Sequence, residues 1–458
     1  MACLNLSNVQ SVSRTQTSLA AKQRLPLEVQ ERVLDFVAGS MDSRETMKAC
    51  ITTCKAWTPR CRFHLLYEVH LRSRQEVFSF ARLLDSNPHF RNEVVYAHIG
   101  SREGTPQPIE YVESFAARFA GKLPAVHHLM IRNAEMKPTN LRLDSHLHFS
   151  SFVSLRELSL MGILFRTPTM FLRTVCCFPG VTLLQCTDVD IQEEHRPGLH
   201  PVTVPSIRHL GVDGSSPSIE KVIHTFVSGS LSVALRTIVL GYRTAVPLQE
   251  LTGVVQRLLD AAGPSLRTFS SVVDETKLKL DERIEQYINF TPNTRLERII
   301  IRIPVKDQPI LSWISHVLSS ITFDSDGEVC LIFNVDAGDN TPLVLQSLLI
   351  RLQDSVCSEI EAVMFLPGFT KLKRLSVELY IVPWNIALSQ TAWSETIMTA
   401  MPRLHARGIL YPCMRVFNTY SMTDQRSLLR SGVSIIPGSS AAETLGRISR
   451  LNDGHTES

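Results

Sequence analysis

Val153-Ser-Leu-Arg-Glu-Leu-Ser-Leu160 decides the fold. Its three apolar positions, Leu155, Leu158 and Leu160, follow an apolar-x-x-apolar-x-apolar order. Leu158 and Leu160 share one side of an extended strand, because side chains alternate faces at a period of two. Leu155 packs inward as the chain approaches that strand. The same order returns in residues 124–131, 179–186, 205–212, 234–240, 264–271, 294–301 and 370–377. From Val126 through Leu155, Val181, Ile207, Leu235, Leu266 and Leu296 the steps are 26 to 31 residues. A period of this size marks stacked supersecondary units, each covering its neighbour's apolar face.

Helices return the chain between these strands. Amphipathic spacing predicts them over 169–177, 218–227, 247–262 and 311–321, with Leu251, Val254, Val255, Leu258 and Leu259 inward in the third. Upstream, Ser73-Arg-Gln-Glu76 reads as a capping box opening a helix that ends at Asn87-Pro88. A short strand over 94–99, stopped by Gly100, and a helix over 108–123 follow. Further on, 328–335 reads as a strand, 343–356 as a helix and 414–418 as a last edge strand. The predicted class is α/β, a solenoid with parallel strands on one side and helices on the other. It resembles irregular leucine-rich repeats, although the Asn or Cys ladder that such repeats carry after each strand is mostly absent.

The segment over 24–71 has a different character. Pro26 suits the first position of a helix, where its missing N–H costs nothing. Val29, Val33, Phe36 and Val37 recur at three- and four-residue spacing with Leu34 beside them, and Gly39 is expected to end the helix. Asp42 and Glu45 read as a capping box for a second helix carrying Met47, Cys50, Ile51, Cys54 and Trp57 on one face. Thr58-Pro59 then reads as the cap and first position of a third, with Cys61, Leu65 and Leu66 inward.

Leu25-Pro-Leu-Glu-Val29, Val33-Leu34-Asp35-Phe36 and Cys54-Lys-Ala-Trp57, followed by the 60–66 segment, resemble an F-box. The resemblance covers about a tenth of the chain. It implies a docking module for the Skp1-type adaptor of a cullin–RING ubiquitin ligase. Carried over by position, the adaptor-facing residues are Leu25, Pro26, Leu27, Glu28, Val29, Val33, Leu34, Cys54, Lys55 and Trp57. The organisation expected is thus a flexible arm over 1–22, a three-helix F-box bundle over 23–72, the leucine-rich-repeat-like solenoid over 73–425 and a disordered tail over 426–458. A substrate receptor follows from it, binding a cullin through the adaptor and a protein target, not identifiable from the sequence, through the solenoid. The alternative is a repeat-protein scaffold, unconnected with ubiquitin, whose N-terminal helices are only a solenoid cap.

Composition narrows the remaining classes. A net charge of +3 over 458 residues argues against a nucleic-acid or membrane-surface binder held by electrostatics. No apolar run approaches the ~18–20 residues that span a bilayer, and the 1–22 arm lacks a signal-peptide core. The ten cysteines are scattered in apolar surroundings, as expected of reduced thiols in a cytoplasmic or nuclear protein.

Enzyme signatures are missing: no phosphate-cradling glycine loop, no Gly-x-Ser-x-Gly, no His-Glu-x-x-His and no Cys-x-x-Cys. Neither catalytic residue nor cofactor is expected, and an unrecognised hydrolase finds no support. Cys50, Cys54, Cys61 and His64 could be taken for zinc ligands, but the cysteines have core positions and lack tight paired spacing. His127 and His128 read as alternating strand residues, residues 193–196 as a solvated loop, and Trp313, Trp384 and Trp393 as packing.

Overall fold

The computed structural model describes residues 25–38, 43–100, 106–108, 111–136, 143–192, 204–241, 248–273, 288–305, 311–335, 341–381 and 388–416. The arm over 1–22, Gly39, Asp42, residues 193–196, Trp384 and the tail over 426–458 lie outside the described residues, as do the expectations placed on them. The chain divides into two compact units, Met1–Leu65 and Leu66–Ser458.

In the first unit, α1 (Leu27–Ala38), α2 (Ser43–Thr53) and α3 (Thr58–Tyr67) enclose a small core of Leu34, Met47 and Cys61. Val37, Ala38, Cys50, Ile51, Trp57 and Leu65 pack around it. Thr58 does not cap α3 as the sequence suggests. A single 3₁₀ turn over Lys55–Trp57 runs directly into α3, Thr58 is itself helical, and the extended residue before the turn is Cys54.

The second unit is built on one all-parallel sheet of twelve strands. Its strands are β1 (Glu68–Leu71), β2 (Tyr96–Ile99), β4 (His128–Arg132), β6 (Glu157–Met161), β8 (Leu183–Thr187) and β10 (His209–Asp213). They continue with β11 (Thr237–Leu240), β12 (Thr268–Val272), β13 (Arg298–Val305), β14 (Gly327–Val335), β15 (Leu372–Ile381) and β16 (Leu410–Val416). Spatial order follows chain order throughout. This is an α/β architecture consistent with a leucine-rich-repeat-like solenoid.

The repeat spacing is reproduced in three dimensions. Leu158 pairs in register with Leu129 and Leu184, and the row continues through Leu210, Ile238, Phe269, Ile299, Val329 and Leu375. Every member of that row is buried, as is each approach residue from Val126 to Leu296. Pairing starts one residue before the strands: the N–H groups of Thr182, Arg208, Arg236, Arg267 and Glu297 each donate to the preceding repeat's equivalent carbonyl. Phenylalanines stack through the layer behind the sheet, Phe119 to Phe115 to Phe152 to Phe149 to Phe178, with ring centroids 5.0–6.4 Å apart.

Three features depart from the sequence reading. A second sheet of four two- or three-residue strands, β3 (Gln107–Pro108), β5 (Ala134–Met136), β7 (Leu164–Phe165) and β9 (Asp190–Ile191), runs beside the first. Gln107–Pro108 belongs to it, so the helix expected over 108–123 is confined to Tyr111–Phe119. The helix expected over 343–356 starts at Thr341, passes through a π turn at Leu352–Val356 and continues as Cys357–Met364. The last strand begins at Leu410, earlier than the expected 414, because it pairs with β15 from Leu375 onward.

A left-handed residue follows six of the long sheet's strands, and after Asn133, Gly162 and Asp188 the chain enters the short sheet within two residues. Directly after their strands, Gly100, Asn133, Gly162, Asp188, Gly214 and Gly241 all take positive φ, between 47° and 137°. These residue types tolerate the left-handed region. Their N–H groups continue the ladder, Asn133 donating to Met161 O, Gly162 to Thr187 O and Asp188 to Asp213 O at 2.8–2.9 Å.

Ser73 caps the helix Arg74–Ser86 as predicted, accepting from Glu76 N at 3.2 Å. The Glu76 carboxylate turns to Arg72 N instead of the cap residue itself. Among the described residues no helix is long and apolar enough to cross a membrane.

Candidate functional site

The helix α1 carries two apolar faces, and its own unit covers only one. Leu34 is 2% exposed and belongs to the core, with Val37 and Ala38 beside it. Val29, Val33 and Phe36, at i, i+4 and i+7, form the other stripe, and Phe36 is 85% exposed. Leu25, just before the helix, and Leu27, its first residue, are also exposed, Leu27 on the side of the helix that carries Leu34. Residues three and four apart line a face, but Leu34 and Val33 point to different sides, so of the two only Val33 is free to face a partner.

A chain of hydrogen bonds ties the start of α1 to the turn after α2. The Trp57 indole N–H donates to Gln30 Oε1 at 2.6 Å, and Gln30 Nε2 donates to the Leu25 carbonyl at 2.5 Å. Half-buried Cys54 and Trp57 and exposed Lys55 are thus held close to Leu25, Pro26 and Leu27. Glu28 is exposed at the first turn of α1, where a carboxylate favours the positive helix end. Of the ten residues named from the resemblance, nine lie wholly or partly at the surface. Leu34 supports the face from beneath and cannot touch a partner.

Asp35 fixes α1 to α3. Its carboxylate accepts from Arg60 Nε and Nη2 at 2.6 and 2.8 Å, and His64 Nε2 lies 2.7 Å from the same Oδ1. The paired Arg60 guanidinium, outweighing partial burial and assisted by His64, holds the carboxyl down to about 2 from an ordinary 3.8. The sequence gives Gln30, Asp35 and Arg60 no role of their own, because their contacts exist only once the helices meet.

The sheet's other face, opposite the apolar rows, carries polar side chains, among them buried His98, His128, Ser159, Ser270, Ser376 and Glu378. Toward the first strands, His70 Nε2 and His98 Nε2 lie 3.1 and 3.2 Å from Glu68 Oε1. His128 Nε2 sits 2.9 Å from Ser159 Oγ, which donates to Gln185 Oε1 at 3.1 Å. His127, by contrast, is exposed and faces the Ser154 carbonyl. Burial pushes the His98 imidazole well below its ordinary value, so it is neutral near pH 7.

Toward the last strands, Glu378 accepts from the Tyr380 hydroxyl at 2.9 Å and forms an ion pair with Arg415, whose Nε is 3.2 Å away, and Arg298 Nε donates to Glu328 at 2.8 Å. Burial raises the Tyr380 phenol above its ordinary value. Trp313 and Trp393 are fully buried, the latter donating to the Val377 carbonyl at 3.2 Å.

The group Cys50, Cys54, Cys61 and His64 is otherwise engaged: Cys61 is in the core, Cys50 packs beside it, and His64 is held by Asp35. The described cysteines are free thiols. Burial pushes Cys176 up to about 11 and Cys177 and Cys357 up to about 12, which leaves them weak nucleophiles.

No protein-family model matches the chain, and no curated protein matches it. What is defined is an α/β protein with N-terminal helices and a long all-parallel sheet.

Proposed function

We propose that this chain is a substrate-recognition subunit of a Skp1–cullin–F-box type ubiquitin ligase. Its N-terminal helices dock the adaptor, and the open strand face of the solenoid holds a protein target. The observation that carries this reading is the set of uncovered apolar side chains Leu25, Leu27, Val29, Val33 and Phe36 at and along α1, whose start is tied to the Cys54–Trp57 corner. A contiguous exposed apolar patch on a small helical unit marks an interaction surface. Leu25, Leu27, Val29 and Val33 are among the residues carried over from the F-box resemblance, and Phe36 joins them. On this reading the protein has no catalytic residue of its own, and ubiquitin transfer is performed by other subunits.

Co-purification of the full chain with a Skp1-type adaptor tests the proposal. Association should be lost when Leu25→Ala and Pro26→Ala are combined, with the helical content unchanged. Full binding by that double variant would remove the assigned face from the account.

A further inference from the structure

We infer that Glu68, His70 and His98 form a binding site for a divalent transition-metal ion of the zinc type, at the first two rungs of the sheet. Glu68 and His70 stand two residues apart on β1 and so project from the same face. His98 is the register partner of His70 on β2. The sheet register alone therefore brings a carboxylate and two imidazoles together, without a loop that must first be ordered.

Their ligand atoms lie within 4.8 Å of one another. Glu68 Oε1 is 3.1 Å from His70 Nε2 and 3.2 Å from His98 Nε2. Tetrahedral zinc bound at ~2.0–2.1 Å places neighbouring ligand atoms about 3.3 Å apart. Small rotations that spread the three atoms around one point would thus complete the set.

Two histidines and one carboxylate form a donor set that zinc uses when it keeps a fourth position for water or substrate. The burial fits such an arrangement. His98 is 4% exposed and anchors the inner side, whereas Glu68 and His70 are partly exposed and leave the outer side reachable. The neighbouring His128, whose ring centroid is 6.0 Å from that of His98, is engaged by Ser159 and is not a ligand.

The spacing hides the site in the sequence: Glu-x-His and a lone histidine one repeat later contain no tight ligand pair. The inference is independent of adaptor docking, since every ligand lies in the second unit.

The test is titration of the metal-free full chain with Co²⁺, followed by Zn²⁺. The expected result is the visible absorption of a four-coordinate ion with nitrogen and oxygen ligands, displaced by one equivalent of Zn²⁺. His70→Ala should weaken binding by more than about a hundredfold, above the roughly 10–100-fold that changes outside the ligand shell cost. Glu68→Gln, at a half-exposed position, should do the same while the circular dichroism stays native. No cobalt band, or a band that persists in both variants or carries thiolate charge transfer, would overturn the site and leave a hydrogen-bonded cluster.

Discussion

Asp35 concentrates much of the first unit's polar stabilisation, because three donors on α3 converge on one carboxylate. Its folded value is depressed, so the unfolded chain binds more protons in acid. The resulting stabilisation is complete above about 4 and is lost as pH falls toward about 2. With the side chain 39% exposed, solvent screening limits the effect to about 0.5–1 kcal/mol. Asp35→Asn should therefore lower the stability of the helical unit near pH 7 by that amount and flatten its acid dependence. Fluorine-labelled tryptophan, resolving Trp57, would report it; an unchanged acid profile would show the contact to be inert. Gly100 makes a separate demand, with φ at +107° and the position of a Cβ overlapping the Arg132 carbonyl oxygen. Gly100→Ala should cost about 1–3 kcal/mol in thermal unfolding.

The repeat is the unit of stability at the next scale, where each strand's buried row is completed by its neighbour. Phe152 stacks on Phe115, centroids 5.6 Å apart, and reaches Phe149 in the next contact along the layer. Phe152→Ala should cost about 3–5 kcal/mol. Because repeats interact with their nearest neighbours, hydrogen exchange should rise in β4, β6 and β8 and leave β13 to β15 protected. Uniform loss of protection would instead mean the sheet unfolds as one body.

Strand positions were legible at this scale because Leu155, Leu158 and Leu160 and their counterparts follow a rule of burial that leaves a mark in every repeat. β1 was not legible, since Glu-Val-His-Leu lacks the approach residue and falls at the end of a helix. Nor was the second sheet, whose strands of two or three residues are too short to show a period. The turns into it are marked by Gly100, Asn133, Gly162 and Asp188, each one residue past a strand of the long sheet.

At the scale of the whole chain, the two units carry different surfaces, one apolar stripe on helices and one polar face on parallel strands. The apolar residues of α1 were readable as amphipathic, but which stripe faced inward depended on Met47 and Cys61 arriving from α2 and α3. The open face was less legible still, because cross-strand neighbours such as Glu68 and His98 meet only through register. If the helical stripe docks the adaptor, the protein joins a ligase through one unit and presents a target through the other. The measurement that tests this most directly is the dissociation constant of the full chain for a purified Skp1-type adaptor, compared with that of a Val33→Asp, Phe36→Asp variant of native circular dichroism. The account predicts binding by the unaltered chain and a loss of at least about a hundredfold, or ~2.7 kcal/mol, in the variant. An unaltered chain that does not bind, or a variant that binds equally well, would contradict it.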